Sequence, residues 1–170
     1  PVTPPPRPQK EPMATASPPP KPVVIDPYQQ NLNAFRTAMQ HYTQSPSALL
    51  LKRVLHFAEK ISPDVTQRQN SAVALELAWV YWNNQQKESA QNWFQKALVW
   101  KPEQKEAHYG LALIDIDLKA WHTAYLHLKA FGIHKPEQQE LAQLVLVAQA
   151  REAFDAQQFE RARDQLKEAA

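Results

Sequence analysis

The fold is decided by residues 71–104, which read SAVALELAWVYWNNQQKESAQNWFQKALVWKPEQ, and by residues 105–138, which read KEAHYGLALIDIDLKAWHTAYLHLKAFGIHKPEQ. Five positions of the first stretch reappear in register 34 residues later. They are Ala78 and Ala112, Ala90 and Ala124, Phe94 and Leu128, Ala97 and Phe131, and Pro102 and Pro136. A period of this length is typical of a helix–turn–helix repeat, which buries its apolar face only by stacking on neighbours. The sequence therefore predicts a surface for holding another protein rather than a pocket for chemistry.

Each stretch contains two sets of apolar residues spaced three or four apart, and each set lies on one helix face. In the first stretch the sets are Ala74, Leu77, Ala78 and Tyr81, then Ala90, Phe94 and Ala97. We expect the small residues to let the two helices approach and Trp121 to pack where the helices of the second stretch turn. Gly110 lies within a predicted helix, where glycine costs ~1 kcal/mol relative to alanine. It therefore indicates either a close approach or a ligand-facing position.

Both stretches resemble the tetratricopeptide repeat family at nearly every signature position. Ala74 stands where that family has Trp, and Asp115 where it prefers an aromatic residue. The resemblance implies an all-α fold, a right-handed α-solenoid of about four antiparallel helix pairs over residues 27–170. The expected units are 32–65, 71–104, 105–138 and 143–170, and the first helix of the second unit is expected to start early, near Thr66. Because a terminal repeat normally needs a polar cap, we expect the array to continue beyond Ala170 or to pair with another copy.

Residues 1–26 form a separate segment that contains ten of the 15 prolines. Proline fixes φ and removes backbone donors, so this segment is predicted to be an extended linker or tether. A second interpretation is a recognition segment, since Pro5–Pro8 and Pro19–Pro22 mix proline with a cation. The later Pro46, Pro63, Pro102 and Pro136 are predicted to lie at helix starts, with Ser45 and Ser62 as caps.

In the tetratricopeptide family the first helices of successive units line a concave groove. The matching positions here are Leu75, Glu76, Trp79, Trp82, Asn83, Glu106, Tyr109, Leu113, Ile116, Asp117 and Arg151, with Val147, Phe154 and Asp155 beside Arg151. Three interpretations of Trp79 and Trp82 stay open: a groove for an apolar extended or helical peptide, packing within the array, and a carbohydrate-stacking surface. Leu75 and Trp79 argue against the carboxylate clamp of some family members, which needs polar or basic side chains there.

Composition excludes several other classes of function. A net charge of +2 is too small to predict nucleic acid as a partner. No apolar run approaches the ~20 residues of a membrane span, so direct membrane insertion is not expected. The absence of cysteine excludes thiolate sites and slightly favours a periplasmic over a cytoplasmic location. The six histidines have no metal-ligand spacing, and we expect no metal, no cofactor, no catalytic residues and no enzyme activity.

The favoured function is a protein–protein interaction module, an adaptor or scaffold that binds a partner peptide or helix in the groove. A Pro-rich tether before such repeats resembles envelope-assembly proteins of bacteria that serve pili, secretion or exopolysaccharide export. The alternative is a structural domain that self-associates through its open ends, through Trp93 and Trp100, or by docking of the Pro-rich arm. A third possibility is a regulatory domain attached to an enzyme elsewhere in a longer chain.

Overall fold

The computed structural model describes residues 26–169, so the Pro-rich segment 1–25 and Ala170 lie outside the described residues. This part of the chain consists of eight α-helices and contains no β-strand. The helices are α1 (Pro27–Gln44), α2 (Ala48–Arg68), α3 (Ser71–Asn83), α4 (Lys87–Trp100), α5 (Lys105–Asp117), α6 (Trp121–Phe131), α7 (Pro136–Asp155) and α8 (Phe159–Ala169). The predicted all-α class is confirmed.

Contacts between helices follow the order of the chain. The most extensive contacts join α1 with α2, α3 with α4, α5 with α6, and α7 with α8. Smaller contacts join α2 with α3, α4 with α5, and α6 with α7, and α3 also touches α5. The result is a linear, helical repeat-like arrangement in which each helix pair rests on the next pair along the chain.

The turns inside the last three pairs share one backbone conformation. Gln85, Lys119 and Gln157 have φ values of 61°, 59° and 62°, in the left-handed region that closes a helix. The next residue of each turn donates its amide to a carbonyl five positions earlier, at Tyr81, Asp115 and Ala153. These turns are 34 and then 38 residues apart, so the backbone repeats with the periods found in the sequence.

Burial follows the repeat in the second unit. Its predicted core positions Ala74, Leu77, Ala78, Ala90, Phe94 and Ala97 are fully buried, and Tyr81 is nearly so. A large cluster runs from α1 to α5, and a smaller one joins α5, α6 and α7 around Ala112, Ala124, Leu128, Ala142 and Val145. In the second unit the spacing of the apolar residues therefore predicted correctly which helix faces are buried.

Gly110 lies beneath the ring of Phe94. A Cβ atom at Gly110 would be 2.2–2.5 Å from three ring carbons, closer than real carbon contacts come. The prediction of a close approach at Gly110 is confirmed, and the nearest neighbour is the core aromatic of the preceding helix pair. The glycine thus allows α5 to rest on α4, in spite of its low helix propensity.

Several predicted helix boundaries were wrong. Pro63 lies inside α2, and Ser62 donates its hydroxyl to the carbonyl of Ala58 instead of capping a helix. The extra residues before the second unit lengthen α2, and α3 begins at Ser71 with Asn70 as its cap rather than near Thr66. Ser47 caps α2, whereas Ser45 ends α1.

Pro136 is confirmed as the first residue of a helix. That helix, α7, spans the predicted boundary between residues 138 and 143, so the extra residues of the last unit lengthen its first helix. None of the helices within residues 26–169 combines the length and the apolar character that crossing a membrane requires.

Candidate binding surface

The predicted groove positions on α3 are largely engaged in contacts within the array. Leu75, Trp79 and Trp82 are half-buried and pack against the large core cluster. Glu76 accepts two hydrogen bonds from the guanidinium of Arg36 on α1, at 2.7 and 3.2 Å. Asn83, at the end of α3, is exposed. This section of the predicted groove is therefore flanked by an ion pair that links the first helices of two neighbouring units.

An aromatic chain continues from α3 to α5 and α6. The ring of Trp79 meets Phe94 edge-on, with 5.0 Å between centroids, and lies 6.4 Å from the ring of Tyr109. Tyr109 in turn packs on Phe131 at 4.9 Å. These contacts give Trp79 and Tyr109 a role in packing successive helix pairs, whatever their remaining exposed edges bind.

The other predicted positions on α5 lie at varied depths. Leu113 and Ile116 are half-buried, and Ile116 packs against the smaller core cluster. Glu106 is exposed near the start of α5. Asp117, at the end of this helix, forms an ion pair with Lys87 at the start of α4. The end of α5 is thus tied to the preceding pair.

The predicted groove positions on α7 border an open cleft. Arg151 lines a cleft of about 500 Å³, together with Lys119, Trp121, Leu144, Val147, Ala148, Glu152 and Asp155. Leu144 and Val147 are 62% and 49% exposed, which is high for side chains of this kind. Trp121 packs against the smaller core cluster as predicted, and it also forms one wall of the cleft.

Sequence reasoning missed Leu144 as a groove residue. The signal was present, since Leu144, Val147 and Arg151 follow one another at the spacing of a single helix face. The predicted unit placed its start at residue 143, so Leu144 stood at the edge of the pattern. The structure begins α7 at Pro136 and places Leu144 in the middle of the helix.

Charges of both signs surround the apolar floor of this cleft. Lys119 and Arg151 carry positive charge, and Glu152 and Asp155 carry negative charge. Within residues 26–169 none of these four side chains forms an ion pair. Four charged groups beside two exposed aliphatic side chains can therefore contact an amphipathic ligand.

Two histidines that are distant in sequence meet between α5 and α6. Nδ1 of His108 lies 3.0 Å from Nδ1 of His127, and Nε2 of His108 lies 3.2 Å from the carbonyl oxygen of Pro102. Because a carbonyl only accepts, His108 donates from Nε2, and in the neutral ring its Nδ1 accepts from His127. Sequence spacing within single helices could not reveal this contact, which depends on packing between helices.

The same contact gives His127 an unusual environment. Its Nε2 lies 3.9 Å from a carboxylate oxygen of the nearly buried Asp115. Burial lowers the pKa of His127 below its ordinary value, Asp115 raises it, and His108 lowers it further. The carboxylate of Asp115 on α5 therefore faces a histidine of the following helix, α6.

No group of three or more His, Asp or Glu side chains is placed to hold a metal ion in the described part of the chain. Comparison of the whole chain with models of known protein families and with curated protein sequences found no match. The candidate surface is accordingly defined by its own geometry.

Proposed function

We propose that this chain is a protein–protein interaction module that binds a peptide or helix of a partner along the first helices of its pairs. The proposal includes a tetratricopeptide-like, right-handed solenoid, in which α3, α5 and α7 face a shared groove. It is supported by the helix pairs in chain order, by the 34-residue period and by the repeated turns at Gln85, Lys119 and Gln157.

The observation that carries the proposal is the cleft along α7. Leu144 and Val147 expose apolar surface there beside Trp121, and four charges without partners among the described residues surround them. Exposed aliphatic side chains beside an aromatic ring gain free energy when a ligand removes them from water. An amphipathic segment with apolar residues at helical or alternate spacing is the ligand that this surface fits.

The proposal also extends to the process in which this module acts. A Pro-rich tether followed by such an array suits an adaptor in a bacterial envelope assembly, and the lack of cysteine is compatible with the periplasm. This part rests on architecture and composition alone.

The test is capture of partners from extracts by the 170-residue chain, compared with a Leu144→Ser, Val147→Ser double variant. Both positions are exposed, so we expect the variant to keep the helical circular dichroism and melting temperature of the parent. A Leu49→Ser, Val99→Ser variant is the matched control, because these residues are the same two residue types and are even more exposed, on other helices.

Partners captured by the parent and the control but lost by the cleft variant support the proposal. A segment of the captured protein should then bind the parent in calorimetry with at least tenfold higher affinity than it binds the cleft variant. Equal binding by all three proteins would place the binding surface elsewhere and contradict the proposal.

A further inference from the structure

The outer face of α8 is apolar and has no cover within residues 26–169. Phe159 and Leu166 are seven residues apart, so they lie on one side of the helix, and they are 56% and 51% exposed. Phe154, at the end of α7, is 60% exposed and meets the ring of Phe159 edge-on at 5.3 Å. With Ala162, Arg163 and Lys167 they border an open depression of about 470 Å³. We call this surface the α8 face.

The preceding helix pair shows what shape such a face accommodates. The residues 38 positions before Phe154, Phe159 and Leu166 are Ile116, Trp121 and Leu128. These residues form part of the smaller core cluster, to which α7 contributes Ala142 and Val145. Positions that α7 covers in one pair are therefore open in the next, and a helix with an apolar stripe is the shape that fits.

The charges on α8 favour a second copy of the same helix as that cover. Glu160 lies in its first turn and Lys167 in its last turn. Being seven residues apart, they occupy the same flank of the α8 face. When two identical helices pack antiparallel about a two-fold axis, each flank meets the same flank of the other copy. With the axis between Arg163 and Asp164, Glu160 of each copy lies opposite Lys167 of the other.

The apolar residues also come together under the same operation. Leu166 of one copy lies two residues, or about 3 Å of helix rise, from the position opposite Phe159 of the other, so these large side chains can share one apolar contact. Arg163 also lies near the axis, opposite Asp164 of the other copy. Its guanidinium already contacts Glu160 and Asp164 of its own helix, so its charge is offset within each copy as well as across the interface.

We propose that the α8 face joins two copies of this chain in an antiparallel, isologous dimer. Phe154 lies on the same side of α7 as Val147, but Glu160, Leu166 and Lys167, which test the dimer, all lie on α8 and do not line the cleft of the proposed groove. Because α8 has only 11 residues, the interface belongs to the small class below about 1,200 Å², and the dimer forms reversibly at high protein concentration.

The first test is sedimentation equilibrium of the 170-residue chain between about 10 µM and about 1 mM. We expect the mass to rise from the monomer value of 19.5 kDa towards twice that value. Leu166→Glu should remain monomeric throughout, whereas Leu49→Glu, at a more exposed position on α2, should behave like the parent. A monomeric parent at the highest concentration, or a Leu166→Glu protein that dimerises like the parent, overturns the proposal.

A charge exchange then tests the orientation of the two copies. Glu160→Lys alone and Lys167→Glu alone each place like charges opposite one another, and each should weaken dimerisation about tenfold. An equimolar mixture of the two variants should restore it, because both flanks of the mixed dimer then carry opposite charges. Lys101→Glu, at an exposed position far from α8, is the control.

Recovery in the mixture cannot arise from a change in folding, since each variant is measured alone as well. If each variant alone is weakened but the mixture does not recover, the two helices are not antiparallel and the proposal is wrong. If both variants alone dimerise like the parent, Glu160 and Lys167 do not meet across the interface, which also contradicts it.

Discussion

The α5–α6 pair and the α7–α8 pair carry large apolar side chains at matching positions, but only the first pair buries them. Leu128 on α6 is 1% exposed, whereas Leu166, its counterpart on α8, is 51% exposed. The difference comes from α7, which packs on α6 and has no equivalent over α8 among the described residues. In a repeat array, the burial of a side chain therefore depends on the neighbouring unit as much as on its own residue type.

The opposite end of the array provides a contrast. The buried residues of α1 are Tyr28, Leu32, Phe35 and Ala38, and its exposed residues are mainly polar. Because α1 is apolar on one face only and its outer face is solvated, it can stand at the end of a stack of helix pairs. α8 has apolar residues on both its inner and its outer face, so it resembles an internal helix of the array.

The largest effect is expected when the two leucines are compared directly. Leu128→Ala should lower the free energy of unfolding by about 2–5 kcal/mol, because it leaves a cavity in the core. Leu166→Ala should cost less than about 1 kcal/mol for the monomer, since the side chain already meets water. Urea denaturation at low protein concentration measures both values. Equal losses of unfolding free energy in the two variants would show that Leu166 is covered in solution, and would contradict the difference drawn between the two pairs.

A smaller effect is expected at the contact between the second and third pairs. Gly110→Ala should destabilise by about 1–3 kcal/mol, although alanine is the better helix former, because the new Cβ would collide with the Phe94 ring. Thermal melting measures the loss. Combination with Phe94→Leu should recover part of it relative to Phe94→Leu alone. A stabilised Gly110→Ala protein would mean that α5 does not rest on Phe94.

The smallest effect concerns the change of the unfolding free energy with pH that arises from His127 in the α5–α6 pair. The lowered pKa of His127 means that the folded protein binds its proton less readily than the unfolded chain does. This histidine therefore contributes stability above about pH 6.5, which is lost as the pH falls through its folded pKa. His127→Gln should show a smaller loss of stability between about pH 7.5 and pH 5.5 than the parent.

The matched control for His127 is the exposed His56 on α2. The pH profile of His127→Gln is compared with that of His56→Gln, which makes the same substitution at an exposed position away from Asp115 and His108. If His127→Gln gives the same pH profile as the parent, the contact with Asp115 and His108 does not govern the titration of this ring.

Much of the fold could be predicted because the same pattern of small, large and proline positions occurs in more than one unit. Ala90 and Ala124 are fully buried, as their recurrence indicated, since only small residues allow two helices to approach there. Helix ends were predicted less well. Pro63 was read as a helix start, but α2 continues through it to Arg68 because packing of Ile61 and Val65 outweighs the lost hydrogen bond.

The candidate surface was only partly visible in the sequence. The sequence offers Trp93 as a contact for self-association, but this residue is buried, with Lys96 over its ring at 4.3 Å, so it is not available as an exposed contact. For Trp79 the sequence allows both a groove position and a packing role. Its contacts with Phe94 and Tyr109 come from other helices, so no pattern within α3 could have revealed them.

The sequence by itself determined the all-helical class, the period and the inner faces of the helices, because these depend on local propensity and on spacing along one helix. Tertiary structure alone decided which apolar residues stay exposed, where His108 meets His127, and how Leu144, Val147 and Trp121 form a cleft. Those features depend on distances between residues of different helices, which are set by packing and carry no signature within a single segment of the chain.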